Sequence, residues 1–544
     1  MNLWDALTGG IGGSRAATLH CWTGSAYEPA PWDDVVRDSE RMTRGMRSAG
    51  VEPGSRVATI LTNTPGTVRG ILGTWLAGGA IASLPVPARG MAPDEYAEQL
   101  ATLCTHVDPA VFLVDEATLA VIPDQVRERV AVRSWESMLG TGAVEPSPPG
   151  DEELAFVQYS SGSTSMPKGC MLTPRAIGAQ LEVIGEMIEA GPSDVGICWL
   201  PLSHDMGIFG CLLTPWVYRF DMYLSPPERF AFAPRTWFAD IAEHGGTIAP
   251  GTNTALHLAA RAYRKAPLRG SLSSLKVCII GAERVQWDTL MQATEVFRPY
   301  GFRPEALMPA YGMAEATLAV TAIPTHESPV HAVVDAIALA DGDVREADPD
   351  DPSATKLVSG GVPCTGVELP GLTEGELTQI RVRSRSLASG YFAEPELTAE
   401  RFADGEVLTG DLGFASGGHL YPVGRTDDVI VLGGRNVYAR EVEAAIDRLE
   451  GVRTGCSTIV DSGDGRGVTL LVEARDGGTE FRALAEEAAS VAMAKAAVPL
   501  DACVVLEKGA LPKTPTGKIQ RHRCRQMLAA DMLEPLSVVE LAAA

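Results

Sequence analysis

Short apolar runs alternate with longer amphipathic stretches through the first four hundred residues. RVATILTN (56–63), AIASLPV (80–86), AVFLVD (110–115), AFVQY (155–159) and LKVCIIG (275–281) have the length and continuity of strands buried on both faces. TVRGILGTWLAG (67–78) is too long for such a strand and reads as a helix between the first two. The strand–helix rhythm predicts an α/β fold: a large N-terminal domain of layered, largely parallel sheets with helices. Gly70 to Ala88 carries no charge and imitates a membrane span. Its glycines and prolines (Gly70, Gly73, Gly78, Gly79, Pro85, Pro87) instead fit a buried helix running into a buried strand.

The pattern changes near position 424. VIVLGG (429–434), VTLLVEA (468–474) and ACVVLEK (502–508) read as strands, with an amphipathic helix at AREVEAAIDRL (439–449) and a long Ala/Glu helix before the last strand. This predicts a small α+β C-terminal domain over 429–544, a large domain over 1–424 and a junction at 425–428. A mere turn within one larger domain is the alternative. Thr321 to Lys356 lacks a clear period, ends in the acidic DGDVREADPDD, and reads as a solvated loop.

A chain of 544 residues exceeds what one core can organise, so about three or four folding units are expected. There are 69 acidic against 45 basic residues, a formal charge of −24. Such a surface argues against nucleic acid and anionic lipid as partners. The ten cysteines form no CxxC pair, which removes zinc ribbons and dithiol redox motifs. The start MNLWDALTGG lacks the basic and apolar regions of a signal peptide, so a reducing cytoplasm is expected.

The stretch FVQYSSGSTSMPKGCMLT (156–173) passes from an apolar strand into a loop rich in Ser, Thr and Gly. Backbone N–H groups and hydroxyls gathered this way form a nest for phosphate oxygens, and Lys168 adds a compact positive charge. Neither the GxxxxGK[ST] loop nor the GxSxG elbow is present. A polar linker is the alternative reading of the loop alone.

The order SSGSTSMPKG resembles the phosphate loop of adenylate-forming enzymes, the superfamily of acyl-CoA synthetases, nonribosomal-peptide adenylation domains and luciferases. WLPLSHDMG (199–207), IGAE (280–283), YGMAEAT (311–317), LTGDLG (408–413), GRTDDVIVLGGRNVY (424–438) and PKTPTGKIQR (512–521) follow in the order of that superfamily. Within it the chain most resembles the fatty acyl-AMP ligases. HDMG follows WLP, Ala314 stands where most relatives have Thr before the glutamate, and Thr321 to Lys356 sits where that subfamily carries an insertion thought to hinder domain rotation.

The resemblance implies that a carboxylic acid attacks the α-phosphorus of ATP, giving acyl-AMP and pyrophosphate. Ser161, Gly162, Ser163, Thr164 and Lys168 would hold the β- and γ-phosphates. Glu315 would bind Mg²⁺, a hard cation suited to carboxylate oxygens. Gly281, Ala282 and Glu283 would form one adenine wall, with Tyr311, followed by Gly312, on the other. Asp411 and Arg425 would meet the ribose. His204 would line the acyl pocket or form a structural pair with Asp205. Lys518 would be the catalytic lysine, delivered by the small domain as it turns about Asp427. The acceptor implied is a phosphopantetheine thiol on an acyl carrier protein, with Lys518, Arg521, His522, Arg523 and Arg525 as a basic docking patch or simply as partners of local carboxylates. An acyl-CoA synthetase using coenzyme A is the competing reading, and a non-catalytic nucleotide binder a third. Ser160, Ser165, Leu202, Ser203 and Ala439 depart from the usual pattern; a Ser at 165 would be strained if the loop requires φ > 0 there.

Overall fold

Helix Pro65–Leu76 shows how the sequence builds the first layer. Thr64 caps it by accepting the Thr67 N–H, and Pro65 opens it with a preset φ. Every residue from Gly66 to Leu76 except Arg69 is buried. A side chain at Gly70 would come within 2.1 Å of the Trp135 ring, so the glycine is what lets this fully buried indole pack against the helix. The helix leads into strand Ala80–Ser83, whose four residues are all buried. The uncharged segment is thus a core helix and a core strand. Among the described residues no helix is long and apolar enough to cross a membrane.

The computed structural model describes residues 1–11, 16–87, 91–140, 144–159, 167–264, 266–426, 429–432, 435–461, 467–475, 480–513 and 519–541. A six-stranded sheet runs in the spatial order Val132–Ser134, Val111–Val114, Arg56–Thr59, Ala80–Ser83, Phe156–Tyr159, Gly169–Leu172. All its pairs are parallel but the last. A nine-stranded sheet has a parallel centre of strands Asp221–Leu224, Val195–Cys198, Ile248–Gly251, Val277–Ile280 and Leu307–Gly312, with antiparallel strands toward both edges. The layered, largely parallel α/β expectation therefore holds. A third, antiparallel sheet includes Thr378–Ser384, Glu406–Ser416 and His419–Arg425.

Beyond position 429 strands Val452–Asp461, Val468–Ala474, Ala502–Leu506 and Pro535–Glu540 form a mixed sheet. Helices Ala439–Ile446 and Phe481–Ala496 bury Val442, Ile446, Ala485 and Ala488 in the same core. A second small cluster joins Cys524 of helix Arg521–Ala529 to Leu471 and Leu506.

Two expectations need correction. The stretch from Thr321 to Lys356 is not a solvated loop. Strands His331–Asp335 and Ala354–Val358 pair antiparallel, with the short helix Ala336–Ala340 between them. Asp335 caps that helix by accepting the Ile337 and Ala338 N–H groups. Val334, Leu339 and Leu357 pack with Phe414, Tyr421, Val423 and Tyr438. The acidic run is only the connection between helix and second strand, and its charges obscure the apolar residues on either side. The arginines expected as a docking patch are each paired: Arg521 with Glu443 at 2.8 Å, Arg523 with Glu95 at 2.6 Å, and Arg525 with Asp461. They balance local carboxylates.

Candidate active site

Parallel strands present their carboxyl ends along one edge, and ligand sites in open α/β sheets form there. The loop Gly281–Glu283 follows strand Val277–Ile280 directly, and Tyr311 and Gly312 close the neighbouring strand Leu307–Gly312. The two ends approach closely: a Cβ at Gly281 would lie 3.1 Å from the Ala310 carbonyl oxygen. Ala282 has φ +64°, a strained value for a residue with a side chain. At Gly312 a Cβ would fall 2.0 Å from the Leu318 carbonyl oxygen, so the chain can turn back there only with glycine. These residues border a continuous cavity of about 810 Å³.

Tyr311, Asp411 and Arg425 form a chain of polar contacts on its wall. The Tyr311 hydroxyl donates to Asp411 Oδ2 at 2.6 Å. Burial, then the Asp411 charge and this hydrogen bond, raise the Tyr311 pKa well above its ordinary value, so it stays a donor. Asp411 and Arg425 sit opposite each other in antiparallel register, and Arg425 Nε lies 3.4 Å from Asp411 Oδ1. The strand register thus sets the pair.

Glu315 lies in the turn Ala314–Ala316, fixed by the backbone bond from Ala388 N–H to its carbonyl at 2.8 Å. The Tyr391 hydroxyl donates to Glu315 Oε1 at 2.8 Å. Among the described residues, nothing donates to Oε2 and no cation pairs with the carboxylate. That leaves a hard oxygen donor facing the cavity, which fits a divalent cation such as Mg²⁺. Lys168 Nζ lies 5.8 Å from the centre of the Tyr391 ring, within cation–π reach. Tyr391 therefore joins Lys168 to Glu315 across more than two hundred residues of chain.

His204 lines the cavity and also pairs with Asp205, Nδ1 to Oδ1 at 2.5 Å. Asp205 Oδ1 further accepts the Met206 N–H at 2.7 Å. Glu283 borders the cavity while its carboxylate accepts the Thr254 hydroxyl at 3.1 Å, beside the start of helix Asn253–Tyr263. Arg284, the next residue, pairs with Glu441 of the C-terminal unit, which also accepts the Thr355 hydroxyl. The ten expected site residues that are described all border this one cavity. Ser161, Gly162, Ser163, Thr164, Asp427 and Lys518 lie outside the described residues, as do Ser160 and Ser165. Ile519 and Gln520, which follow Lys518 in sequence, line the cavity.

The lining includes the cations Lys168, Arg401 and Arg425, the carboxylates Glu283, Glu315 and Asp411, and apolar side chains such as Ile184, Met222 and Ile248. The family model described as "AMP-binding enzyme" matches residues 18–392. The chain belongs to the AMP-binding enzyme family. Rv1013 of Mycobacterium tuberculosis is 30% identical over 532 residues, covering 93% of this chain and 96% of its own. The long-chain-fatty-acid–AMP ligase FadD32 of Mycolicibacterium smegmatis is 28% identical over 541 residues, covering 87% and 85%. A structure from a study of fatty acyl-adenylate ligases of E. coli and L. pneumophila superposes with a TM-score of 0.88 at 25% identity, over 97% of this chain and 98% of that one.

Three residues of this AMP-binding enzyme's cavity escaped sequence reasoning. Tyr391 and Arg401 sit in ordinary-looking SGYF and AERF segments, and only the fold brings them to Glu315 and Gly410. Gln158 is 3% exposed; its amide donates to the Ser203 carbonyl at 2.9 Å, tying the strand before the Ser-rich loop to the segment before His204. A polar side chain in an otherwise apolar strand was the available signal.

Proposed function

We propose that this enzyme activates a lipophilic carboxylic acid with ATP, forming acyl-AMP and pyrophosphate, and passes the acyl group to the phosphopantetheine thiol of an acyl carrier protein. The observation that carries this reading is one cavity bordered by Lys168, Glu315, Asp411 and Arg425 and also by apolar side chains such as Ile184, Met222 and Ile248. Two anions must meet for the reaction, so charge must be offset and the reactants held in line.

In this reading the acid enters with its alkyl chain against those apolar side chains and its carboxylate beside His204. Lys168, with Ser161, Gly162, Ser163 and Thr164, holds the β- and γ-phosphates. Gly281, Ala282 and Glu283 wall the adenine opposite Tyr311, and Asp411, oriented by Tyr311 and Arg425, accepts the ribose hydroxyls. Glu315 would hold Mg²⁺, which when bound offsets phosphate charge. Residues 429–544 act as a lid turning about Asp427, and Lys518 stabilises the charge that develops between the carboxylate and the α-phosphate. The carrier protein is favoured over coenzyme A because the pair of strands at 331–358 ties the lid to the large domain through Thr355 and Glu441. The site of action in this reading is the cytoplasm.

The test is incubation with ATP, Mg²⁺ and a panel of carboxylic acids, followed by separate addition of coenzyme A and a phosphopantetheinylated carrier protein. Acyl-AMP followed by carrier loading is expected. Efficient acyl-CoA formation would replace the acceptor by coenzyme A. Lys518→Ala should bind ATP yet form adenylate far more slowly; wild-type turnover would remove Lys518 from its role.

A further inference from the structure

With the arginines of 521–525 paired, the open basic surface lies elsewhere. Residues 253–303 hold eight Lys or Arg against three Asp or Glu, in a chain of formal charge −24. Lys276 pairs with Asp194 at 3.0 Å and Arg284 with Glu441. Arg261, Arg264, Arg269, Arg298 and Arg303 are exposed, and among the described residues none of them pairs with a carboxylate. The fold gathers them. The Tyr263 ring lies edge-on to Phe297, centroids 5.5 Å apart, which brings the end of helix Asn253–Tyr263 beside Arg298. The Leu272 N–H donates to the Tyr300 carbonyl at 2.7 Å, which brings the segment after Arg269 to the same place. The helix buries Ala255, Leu256, Ala259, Ala260 and Tyr263 and leaves Thr254, Leu258 and Arg261 outside, spaced as one stripe. Leu258, in the middle of the stripe, is 37% exposed. The stripe starts at the cavity: the Thr254 hydroxyl donates to Glu283, which borders it.

We propose that this stripe, with the arginines beyond it, is the docking face for the acyl acceptor: a phosphopantetheinylated carrier protein whose surface around the arm is acidic. The inference rests on the carrier-protein reading above. Charge and reach select the occupant. The arm joins its carrier through a phosphodiester, itself an anion, and acidic side chains around it would complement the arginines. The rest of this protein's surface is acidic and repels such a partner, so the one open basic face also fixes where it lands. A helix rises about 1.5 Å per residue, so Leu258 stands about 6 Å and Arg261 about 10 Å along the axis from Thr254 at the cavity rim. An extended phosphopantetheine arm spans about 16 Å, enough to pass from the stripe over that rim. Leu258 supplies an apolar contact at the centre of the face, and the arginines around it steer the approach. Leu258, Arg261 and Arg264 do not border the cavity, so adenylate formation does not depend on them.

The test separates docking from chemistry. Acyl-AMP formation, acyl transfer to free pantetheine and acyl transfer to a panel of phosphopantetheinylated acyl carrier proteins are measured for the wild type, the double variant Arg261→Glu, Arg264→Glu and the single variant Leu258→Asp. Acyl-AMP formation and transfer to pantetheine should hold in all three. The KM for the carrier should rise about tenfold or more in the double variant with kcat unchanged, and the rise should shrink in about 0.5 M salt. Leu258→Asp should raise the same KM at either salt concentration. A carrier KM unmoved in both variants would overturn the docking face while leaving the carrier as acceptor. An equal fall in all three reactions would also overturn it, since the residues would then act on the fold. Vesicles of phosphatidylcholine and phosphatidylglycerol that bind the wild type but not the double variant, with the carrier KM unmoved, would give the face to a membrane instead. Acyl-AMP formed with no carrier loaded would overturn the acceptor and the docking face together.

Discussion

Glu441→Ala removes one carboxylate on which three parts of the chain converge. Glu441 lies on helix Ala439–Ile446 of the C-terminal unit with its side chain 3% exposed. It takes Arg284, the residue after the Gly281–Glu283 loop, and the hydroxyl of Thr355 on strand Ala354–Val358. The Arg284 side chain is only 17% exposed, so solvent screens this pair weakly. Truncating one partner of such a pair leaves the other charge buried and uncompensated, a loss of about 3–5 kcal/mol. The Thr355 hydroxyl adds about 1 kcal/mol. Arg448–Asp288, at 2.9 Å across the same boundary, is 69% and 54% exposed and offsets little of this. A loss near 4 kcal/mol shifts the docked fraction of the small domain by about three orders of magnitude. The assay is single-molecule energy transfer between one dye on the large domain and one beyond position 439, for wild type, Glu441→Ala, Arg284→Ala and the double variant. Wild type should give one narrow distribution and Glu441→Ala a second, distant population, with Arg284–Glu441 coupling of about 0.5–3 kcal/mol in the cycle. Unchanged distributions and strictly additive variants would refute the reasoning.

Three further outcomes are expected. Tyr311→Phe removes a hydroxyl that donates 2.6 Å to a carboxylate, a contact worth about 1.5–3 kcal/mol, so the KM for ATP should rise about tenfold or more while that for the acid holds. Gly312→Ala places a methyl 2.0 Å from the Leu318 carbonyl oxygen; the backbone must move, and the urea midpoint should fall by an amount equal to about 1–3 kcal/mol. Asp447 titrates at about 6 when folded, raised chiefly by burial against the Ser457 hydrogen bond. A carboxylate raised on folding binds its proton more tightly in the native state, so stability falls as pH rises from about 4 to about 6 and stays lower above that. The effect is on the order of 3 kcal/mol, and Asp447→Asn should flatten that part of the pH–stability profile relative to wild type.

Much of the layer structure was legible because buried parallel strands need continuous apolar runs. Phe156–Tyr159 and Val277–Ile280 lie inside the segments expected. The hairpin at 331–358 was not, because an acidic connection dominates the stretch between its strands. At the site, the glycines and carboxylates were visible as motifs. Their partners were not: Tyr391 reaches Glu315 across 76 residues, and nothing local to the SGYF segment encodes that contact. The pairing of Asp411 with Arg425 is a matter of strand register, which periodicity alone does not fix. The arginines of 521–525 looked like a patch in one dimension; in three, carboxylates from residues 95, 443 and 461 meet them.

The most direct measurement is mass-spectrometric detection of the products formed by the intact protein from ATP, Mg²⁺ and each of a panel of straight-chain acids, with pyrophosphate release followed in parallel. Acyl-AMP and pyrophosphate should appear together and in equal amounts with at least one acid, and only when an acid is present. ATP bound in the cleft but left uncleaved with every aliphatic acid from octanoate to octadecanoate would contradict an acid-activating site.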